Sequence, residues 1–191
     1  MKRIAIVGDI GSGKSYVAKS FGFPVFNADL EVSKLYKFNK RCFYRIKKSL
    51  PKCYFSFPIK KNEIKEAIFA NQFNLKKIVK IIHPEIRKKL NNFLKKYKSK
   101  KIVILDIPLL LENKINKKND ILVFVDAKKN QIYKKLKKRE NFNIELFKKF
   151  KQIQLPLEYK KKKSNFIVKN NFSNNSVKKS VRIILNQILL V

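Results

Sequence analysis

Acidic residues are scarce in this chain. Only 13 Asp and Glu stand against 47 Lys and Arg, which gives a formal net charge of +34 at pH 7. A field of this sign attracts nucleic acids, anionic membranes and polyphosphate ligands, so three classes of partner stay open. The lysines are spread from Lys2 to Lys179 rather than collected in one stripe, and arginine is scarce beside lysine. This distribution argues against a dedicated nucleic-acid groove and predicts a solvated lysine coat without a specific nucleic-acid partner.

Cysteine and histidine, the usual ligands of zinc, are also few. Cys42 and Cys53 form no C-x-x-C pair, and together with His83, the single histidine, they cannot supply an ordinary zinc site. We therefore expect both cysteines to be reduced thiols near a core.

Long hydrophobic runs are also missing. The apolar stretches 102–105 and 121–125 are too short to span a bilayer, and no charged-then-apolar leader ends in a small-residue cleavage site. We therefore expect a cytoplasmic protein without a membrane partner. Separately, we expect it to be a monomer. Because 45% of its 191 residues are hydrophobic, the chain has enough apolar material for one folded domain with insertions.

The hydrophobic pattern alternates between short buried strands and helical segments. Strands are predicted at residues 4–7, 25–26, 102–105, 121–125 and 166–168. Helices are predicted from about residue 13 and at residues 30–37, 63–98, 131–139, 144–154 and 177–189. Pro84 is expected to divide the long helical stretch, and no element is predicted in the irregular, aromatic segment 38–58. This alternation predicts an α/β protein with a parallel sheet.

One motif carries specific chemistry. Residues 8–15, GDIGSGKS, match G-x-x-x-x-G-K-[ST] and lie between a predicted strand and a predicted helix. In such a P-loop the glycines let successive backbone N–H groups face phosphates, while Lys14 would reach the β and γ phosphates and the Ser15 hydroxyl would bind Mg²⁺. Glycine-rich turns also join strands to helices for purely structural reasons, but the context favours a phosphate site.

Three aspartates lie at predicted strand ends. Asp106 is the best candidate for a second Mg²⁺ ligand, although a strand-end aspartate can also cap a turn. Asp126, at the end of the next strand, is a rival candidate for that ligand, although its simpler role is to cap the helix that follows. Asp29 ends the second strand on the side where ligands bind in open parallel sheets, so we assign it the role of accepting the proton of an alcohol substrate. Helix capping is the competing interpretation of Asp29.

Further segments resemble, in order and approximate spacing, the dephospho-CoA kinase family. The matching segments are residues 11–15, 27–29, 83–87 (HPEIR) and 106–112 (DIPLLLE), followed by 64–69, Arg139, Gln154 and 164–170. Many kinases share the P-loop, whereas the HP-x-I-R and IPLL-x-E segments are more particular to this family. The resemblance therefore runs nearly from end to end.

The resemblance implies a fold and a reaction. The fold is a three-layer P-loop kinase with a five-stranded parallel sheet, one domain over residues 1–191, which includes a helical substrate-binding part at about 30–98 and a lid at about 136–162. In the implied reaction, ATP with Mg²⁺ phosphorylates the ribose 3'-hydroxyl of dephospho-CoA in the last step of coenzyme A synthesis. Another small-molecule kinase, or a nucleic-acid-binding NTPase that uses the basic surface, stays an alternative.

The resemblance also implies roles for individual residues. The catalytic residues would be Asp29 and Lys14. ATP would be bound by Gly11, Ser12, Gly13, Lys14, Ser15, Tyr16 and, from the lid, Arg139. Dephospho-CoA would be bound by Asp29, His83, Arg87 and Pro108, and the metal by Ser15 and Asp106. Without the family, His83 next to Pro84 would be interpreted as a structural residue at a helix boundary.

Several positions depart from the family pattern. Asn27 replaces the first aspartate of D-A-D, Tyr16 replaces a threonine, residues 60–61 are Lys-Lys in place of D-R, and Lys135 replaces an arginine of the lid. Asp9 replaces the second glycine of the P-loop, where an inward-facing carboxylate would disfavour ATP, so we expect its side chain to point to solvent. The lysine run 160–163 is expected to be solvated surface. A secondary hypothesis is that it attracts the phosphates of ATP and CoA.

Overall fold

The computed structural model describes residues 1–71, 73–139 and 142–190. Within these ranges it contains one five-stranded sheet with the order β2-β3-β1-β4-β5. The strands are β1 Lys2–Gly8, β2 Val25–Asn27, β3 Ile102–Asp106, β4 Ile121–Asp126 and β5 Phe166–Lys169. All neighbouring strands are parallel. The predicted α/β class with a five-stranded parallel sheet is therefore confirmed.

Nine helices lie in the described part of the chain. They are α1 Lys14–Ser20, α2 Ala28–Phe38, α3 Lys40–Ser49, α4 Lys61–Ala70, α5 Asn74–Lys96, α6 Lys129–Lys137, α7 Ile144–Gln152, α8 Leu157–Lys163 and α9 Asn174–Leu190. The chain forms two compact units. The first comprises Met1–Asn27 and Tyr97–Val191, and the second comprises Ala28–Lys96. None of the helices described is long and apolar enough to cross a membrane.

The core of the first unit surrounds the central strands of the sheet. Ile4 and Ile6 of β1 and Ile104 of β3 are fully buried. Helices α1 and α9 cover them with apolar residues such as Val17 and Val181. A parallel strand between two others has both faces buried, which is why these strands are continuous β-branched runs in the sequence.

The core of the second unit is built from the apolar faces of its helices. Ile46 of α3, Ile68 of α4, and Ile82 and Ile86 of α5 are all buried. Cys42 and Cys53 carry free thiols, as expected. Cys42 is buried, and this burial raises the pKa of its thiol to about 11.

Helix α3 is not predicted from the sequence, and one expectation about the helices is wrong. Helix α3 lies inside the segment 38–58 for which no element is predicted, and its start is fixed by Asn39, whose side chain accepts a hydrogen bond from the backbone N of Cys42. Pro84 lies within α5 and does not end it. A proline removes one backbone hydrogen bond. The helix continues through it because Ile82 and Ile86 are buried on both sides of that point.

Candidate nucleotide-binding site

The P-loop connects the end of β1 to the start of α1 and requires its glycines. Gly11 and Gly13 have φ angles of 80° and 90°, a region that L side chains rarely adopt. A Cβ atom on Gly13 would lie 2.3 Å from Nδ2 of Asn170, and one on Gly8 would lie 2.8 Å from the carbonyl oxygen of Val125. Both the backbone conformation and the available space therefore exclude other residues at these positions.

Lys14 and Ser15 begin helix α1 directly after this loop. The Nζ atom of Lys14 donates to the carbonyl oxygen of Asp9 at 2.7 Å, so its ammonium group is folded back over the loop. Ser15 is exposed. The hydroxyl of Ser12 is buried and has no hydrogen-bond partner among the described residues. A buried, unsatisfied polar group beside a helix N-terminus fits a site that binds an anion.

Asn170 anchors the P-loop to the end of β5. Its Nδ2 donates to the carbonyl oxygen of Ser12 at 2.8 Å, and its Oδ1 accepts from the backbone N of Phe172 at 2.8 Å. Its own backbone N donates to the carbonyl oxygen of Asp126 at 2.7 Å. Asn170 is 3% exposed. The motif 164–170 includes this asparagine, but its contact with the P-loop is visible only in the fold.

Asp106 lies at the end of β3 and is 3% exposed. Residue 27 is its register partner on β2, and Nδ2 of Asn27 donates to Oδ2 of Asp106 at 2.5 Å. The amide at position 27 thus gives Asp106 a hydrogen-bond donor where a second aspartate would add a like charge. The observed hydrogen-bond partner of Asp106 is therefore a side chain of the neighbouring strand β2.

Asp126 does not cap a helix, so that interpretation is wrong. The N-cap position of α6 is Lys128, two residues further on, and the carboxylate of Asp126 lies 3.4 Å from Nζ of Lys161. Asp29 is the second residue of α2, which follows β2 directly. A carboxylate in the first turn of a helix is favourable to the helix dipole.

The expectation that Asp9 faces solvent is also wrong. Asp9 is 7% exposed, and both of its carboxylate oxygens accept from Nζ of Lys151 in α7, each at 2.5 Å. Its Oδ1 accepts a further hydrogen bond from the backbone N of Ile10 at 2.7 Å. The burial of this carboxylate is possible because Lys151 supplies an opposite charge.

A cavity of about 470 Å³ lies beside the P-loop. It is lined by Gln131, Lys134, Lys135, Lys137, Lys138, Asn171 and Phe172. Nζ of Lys135 lies 5.6 Å from the centre of the Phe172 ring, and a Cβ atom on Gly11 would contact Leu136 of α6, so α6 packs closely on the P-loop. Several ammonium groups next to an aromatic ring suit a ligand that combines a flat ring with phosphates. No motif in the sequence indicates Phe172.

The remaining predicted residues lie at different places in the chain. Arg139 is exposed just after α6, Tyr16 is 38% exposed in α1, and Pro108 is exposed in the turn after β3. His83 and Arg87 lie one helical turn apart in α5 of the second unit. Burial lowers the pKa of the His83 imidazole, and the nearby charge of Arg87 lowers it further.

The lysine run 160–163 is not uniformly solvated surface. Lys160 is 3% exposed, and its Nζ lies 2.5 Å from Oε1 of Glu112. The same carboxylate oxygen accepts from the backbone N of Leu155 at 3.0 Å. A buried ammonium must be paired, and Glu112, which follows β3, is its partner. This pair fixes α8 to the segment after β3.

The possible metal ligands are oxygen atoms. Among the described residues, no group of three or more His, Cys, Asp and Glu could hold a metal ion. Mg²⁺ is usually bound by one or two protein oxygens, substrate phosphates and waters rather than by an all-protein cage. The oxygens of Ser15 and Asp106 fit that requirement.

The strand order, the glycine loop after β1 and the buried aspartate at the end of β3 define a kinase of the P-loop class. A sequence model of the dephospho-CoA kinase family matches residues 2–176. The chain therefore belongs to the dephospho-CoA kinase family, and its predicted membership is confirmed. As a kinase of this class it uses ATP as a substrate.

Individual relatives agree with this assignment. The dephospho-CoA kinase of Wolbachia pipientis is 32% identical over 192 residues, which cover 98% of each chain. That of Fusobacterium nucleatum is 34% identical over 179 residues, which cover 88% of this chain and 89% of the relative.

Two solved structures share the fold at lower identity. A Thermus thermophilus protein matches with a TM-score of 0.79 at 23% identity over 97% of both chains. A Campylobacter jejuni dephospho-CoA kinase matches with a TM-score of 0.63 at 22% identity, covering 98% of this chain and 97% of that one.

Proposed function

We propose that this chain transfers the γ-phosphoryl group of ATP to the ribose 3'-hydroxyl of dephospho-CoA, which gives coenzyme A and ADP. Its relatives carry the name of this activity. The observation that carries the proposal is the P-loop. Gly11 and Gly13 have positive φ angles, Lys14 begins α1 directly after the loop, and the buried hydroxyl of Ser12 has no hydrogen-bond partner among the described residues.

The donor side of the reaction is assigned to the first unit. The backbone N–H groups of Gly11, Ser12 and Gly13 bind the phosphates. The ammonium of Lys14 stabilises the negative charge that develops on them during transfer. The unsatisfied hydroxyl of Ser12 is a further donor. In this proposal the adenine base of ATP binds in the cavity that Lys135 and Phe172 line. Further contacts to the nucleotide come from Ser15, Tyr16 and Arg139.

The acceptor side is assigned to Asp29, His83, Arg87 and Pro108. Asp29 accepts the proton of the 3'-hydroxyl while that oxygen forms its bond to the γ-phosphorus and the bond from this phosphorus to the β,γ-bridging oxygen breaks. ADP leaves with the electron pair of that bond. The proton therefore passes to the chain and the phosphoryl group to the acceptor.

Mg²⁺ would be held by Ser15 and Asp106, and when bound it neutralises charge on the β and γ phosphates. The amide of Asn27 donates to Asp106 and so fixes the orientation of this carboxylate. In the same proposal the chain is a single kinase domain with an acceptor-binding part at about 30–98 and a lid at about 136–162. It acts as a cytoplasmic monomer, without a membrane or a specific nucleic-acid partner.

A parallel assay tests the acceptor. ADP release is measured with ATP, Mg²⁺ and one of four acceptors, namely dephospho-CoA, AMP, shikimate or RNA, with the Lys14→Ala variant as the inactive control. We expect ADP release only with dephospho-CoA, together with a product of the mass of coenzyme A. Turnover with AMP or shikimate instead would refute the acceptor while leaving phosphoryl transfer intact. Hydrolysis stimulated by RNA would favour a nucleic-acid-dependent NTPase.

The role of Asp29 is tested in the same assay. Asp29→Asn removes the proton acceptor and is expected to lower kcat by roughly 10²- to 10⁴-fold, with ATP affinity nearly unchanged. Glu31→Gln, which removes another carboxylate from the first turn of α2, is the matched control and should retain activity. An unchanged kcat in Asp29→Asn would show that another group accepts the proton.

A further inference from the structure

Asp9 is an unusual residue to find in a loop that binds phosphates. It lies between Gly8 and Ile10 within the P-loop, and its side chain is only 10% exposed. A carboxylate at this position repels the phosphates of a bound nucleotide unless its charge is compensated. The structure places the compensating charge on a residue 142 positions away in the sequence, Lys151 of α7.

Lys151 is held at Asp9 by two contacts of equal length. Its Nζ lies 2.5 Å from Oδ1 and 2.5 Å from Oδ2 of Asp9. A lysine ammonium has three N–H donors, and two of them serve these oxygens. The side chain of Lys151 is 39% exposed, in contrast to that of Asp9. The third donor can therefore be directed away from the carboxylate.

Asp9 also binds the P-loop lysine, through its main chain. Nζ of Lys14 donates to the carbonyl oxygen of Asp9 at 2.7 Å. The same residue thus binds two ammonium groups, one with its carbonyl oxygen and one with its carboxylate. Lys14 is the lysine assigned to the phosphates. Lys151 is held at the same loop by the carboxylate of Asp9, which carries the same sign of charge as a phosphate.

We propose that Lys151 is a second phosphate-binding lysine of the ATP site, held in position by the carboxylate of Asp9 before the nucleotide arrives. This inference rests on the proposed function. ATP brings oxygens with a larger total charge than one carboxylate, so Lys151 directs at least one N–H to the phosphates when ATP binds. Asp9 positions this lysine and keeps it at the loop.

The competing role for Lys151 is purely compensatory, in which it neutralises Asp9 and never contacts the nucleotide. A double-mutant cycle separates the two roles. Asp9→Asn removes the charge but keeps an oxygen that can accept from the backbone N of Ile10. In that background Lys151 has no carboxylate to neutralise, so any remaining effect of Lys151→Met on ATP binding must come from the phosphates.

Dissociation constants for ATP, ADP and AMP are measured by titration calorimetry on the full chain, for the wild type, both single variants and the double variant. Lys151→Met is expected to weaken ATP binding by roughly 10- to 100-fold, because a contact is lost and Asp9 is left uncompensated. Within the Asp9→Asn background, Lys151→Met should still weaken ATP about tenfold and AMP much less. Lys148→Met, which removes one charge from an exposed position of the same helix, is the control for net charge.

Three outcomes would overturn the inference. If Asp9→Asn and the double variant bind ATP equally, Lys151 acts only on Asp9. If AMP is weakened as much as ATP, the contact does not involve the β and γ phosphates. If Lys148→Met reproduces the loss, only the net charge matters. Circular dichroism confirms that each variant is folded. A folded wild type that binds no ATP would refute the proposed function itself, which is a different result from these three.

Discussion

The P-loop region of the first unit and the helices of the second unit depend on different kinds of interaction. Around the P-loop, polar groups hold fixed positions: Asn170 occupies the space that a side chain on Gly13 would need, and Asp9 is buried against Lys151. In the second unit, helices are held by apolar residues such as Ile68 and Ile86. A sterically tight polar region tolerates few residue types at each position, whereas an apolar helix face accepts many. The first kind of region leaves a recognisable motif in the sequence, and the second leaves only a periodicity.

The largest expected effect breaks the tight region directly. Gly13→Ala places a Cβ atom 2.3 Å from Nδ2 of Asn170 at a φ angle of 90°. We expect ATP binding to weaken by more than roughly 100-fold, because the loop must shift away from Asn170. Calorimetry with ATP and thermal unfolding measure the two consequences.

Gly22 offers a matched control for this substitution. Its φ angle is 73°, and a Cβ atom there would meet nothing within 4 Å. Gly22→Ala therefore carries the conformational cost alone, about 1 kcal/mol, and should leave ATP binding unchanged. Similar losses of ATP binding in both variants would show that the contact with Asn170 does not matter.

An effect on stability rather than on ATP binding is expected at the buried ion pair of the first unit. Glu112→Ala leaves the ammonium of Lys160 buried without its partner and should lower the free energy of unfolding by about 3 kcal/mol. Urea titration measures the loss. Glu158→Ala, at an exposed position of α8, is the control and should cost much less. If the two variants lost equal stability, the ion pair would not fix α8.

The smallest effect belongs to the second unit and concerns pH. Burial and the charge of Arg87 lower the pKa of His83 in the folded state, so the unfolded state binds more protons near pH 6. Stability should therefore fall as the pH decreases through about 6.5, and this part of the fall should disappear in His83→Gln. Urea midpoints at about pH 7.5 and about pH 5.5 measure the difference. An equal fall in both proteins would show that His83 is not responsible.

The sheet was predictable because buried parallel strands are continuous apolar runs. Residues 4–7, 102–105 and 121–125 all lie within observed strands. Helix α3 was missed because proline and aromatic residues in the segment 38–58 obscured its pattern, although Asn39 three residues before the buried Cys42 is a recognisable start. Pro84 was misjudged because the burial of Ile82 and Ile86, a tertiary property, outweighs the local cost of a proline.

The P-loop was predictable because its parts are contiguous in sequence. The other contacts of the site were not, because the fold assembles them from distant positions. Asn170 donates to a carbonyl group 158 residues away, and Lys151 binds a carboxylate 142 residues away. Reasoning from charge alone placed Asp9 in solvent, since its partner is invisible until the chain is folded. The roles of Asp29, His83 and Arg87 stay predictions.

The pairing of β2 with β3 has a consequence for how the chain folds. Asn27 and Asp106 are register partners, yet they lie 79 positions apart, and the whole second unit lies between them in the sequence. Closing so long a segment before it is ordered is entropically unfavourable. Helices of the second unit form from local contacts, so their early formation would shorten the segment that must close. We therefore expect the three-residue edge strand β2 to pair with β3 only after the helices of the second unit have formed.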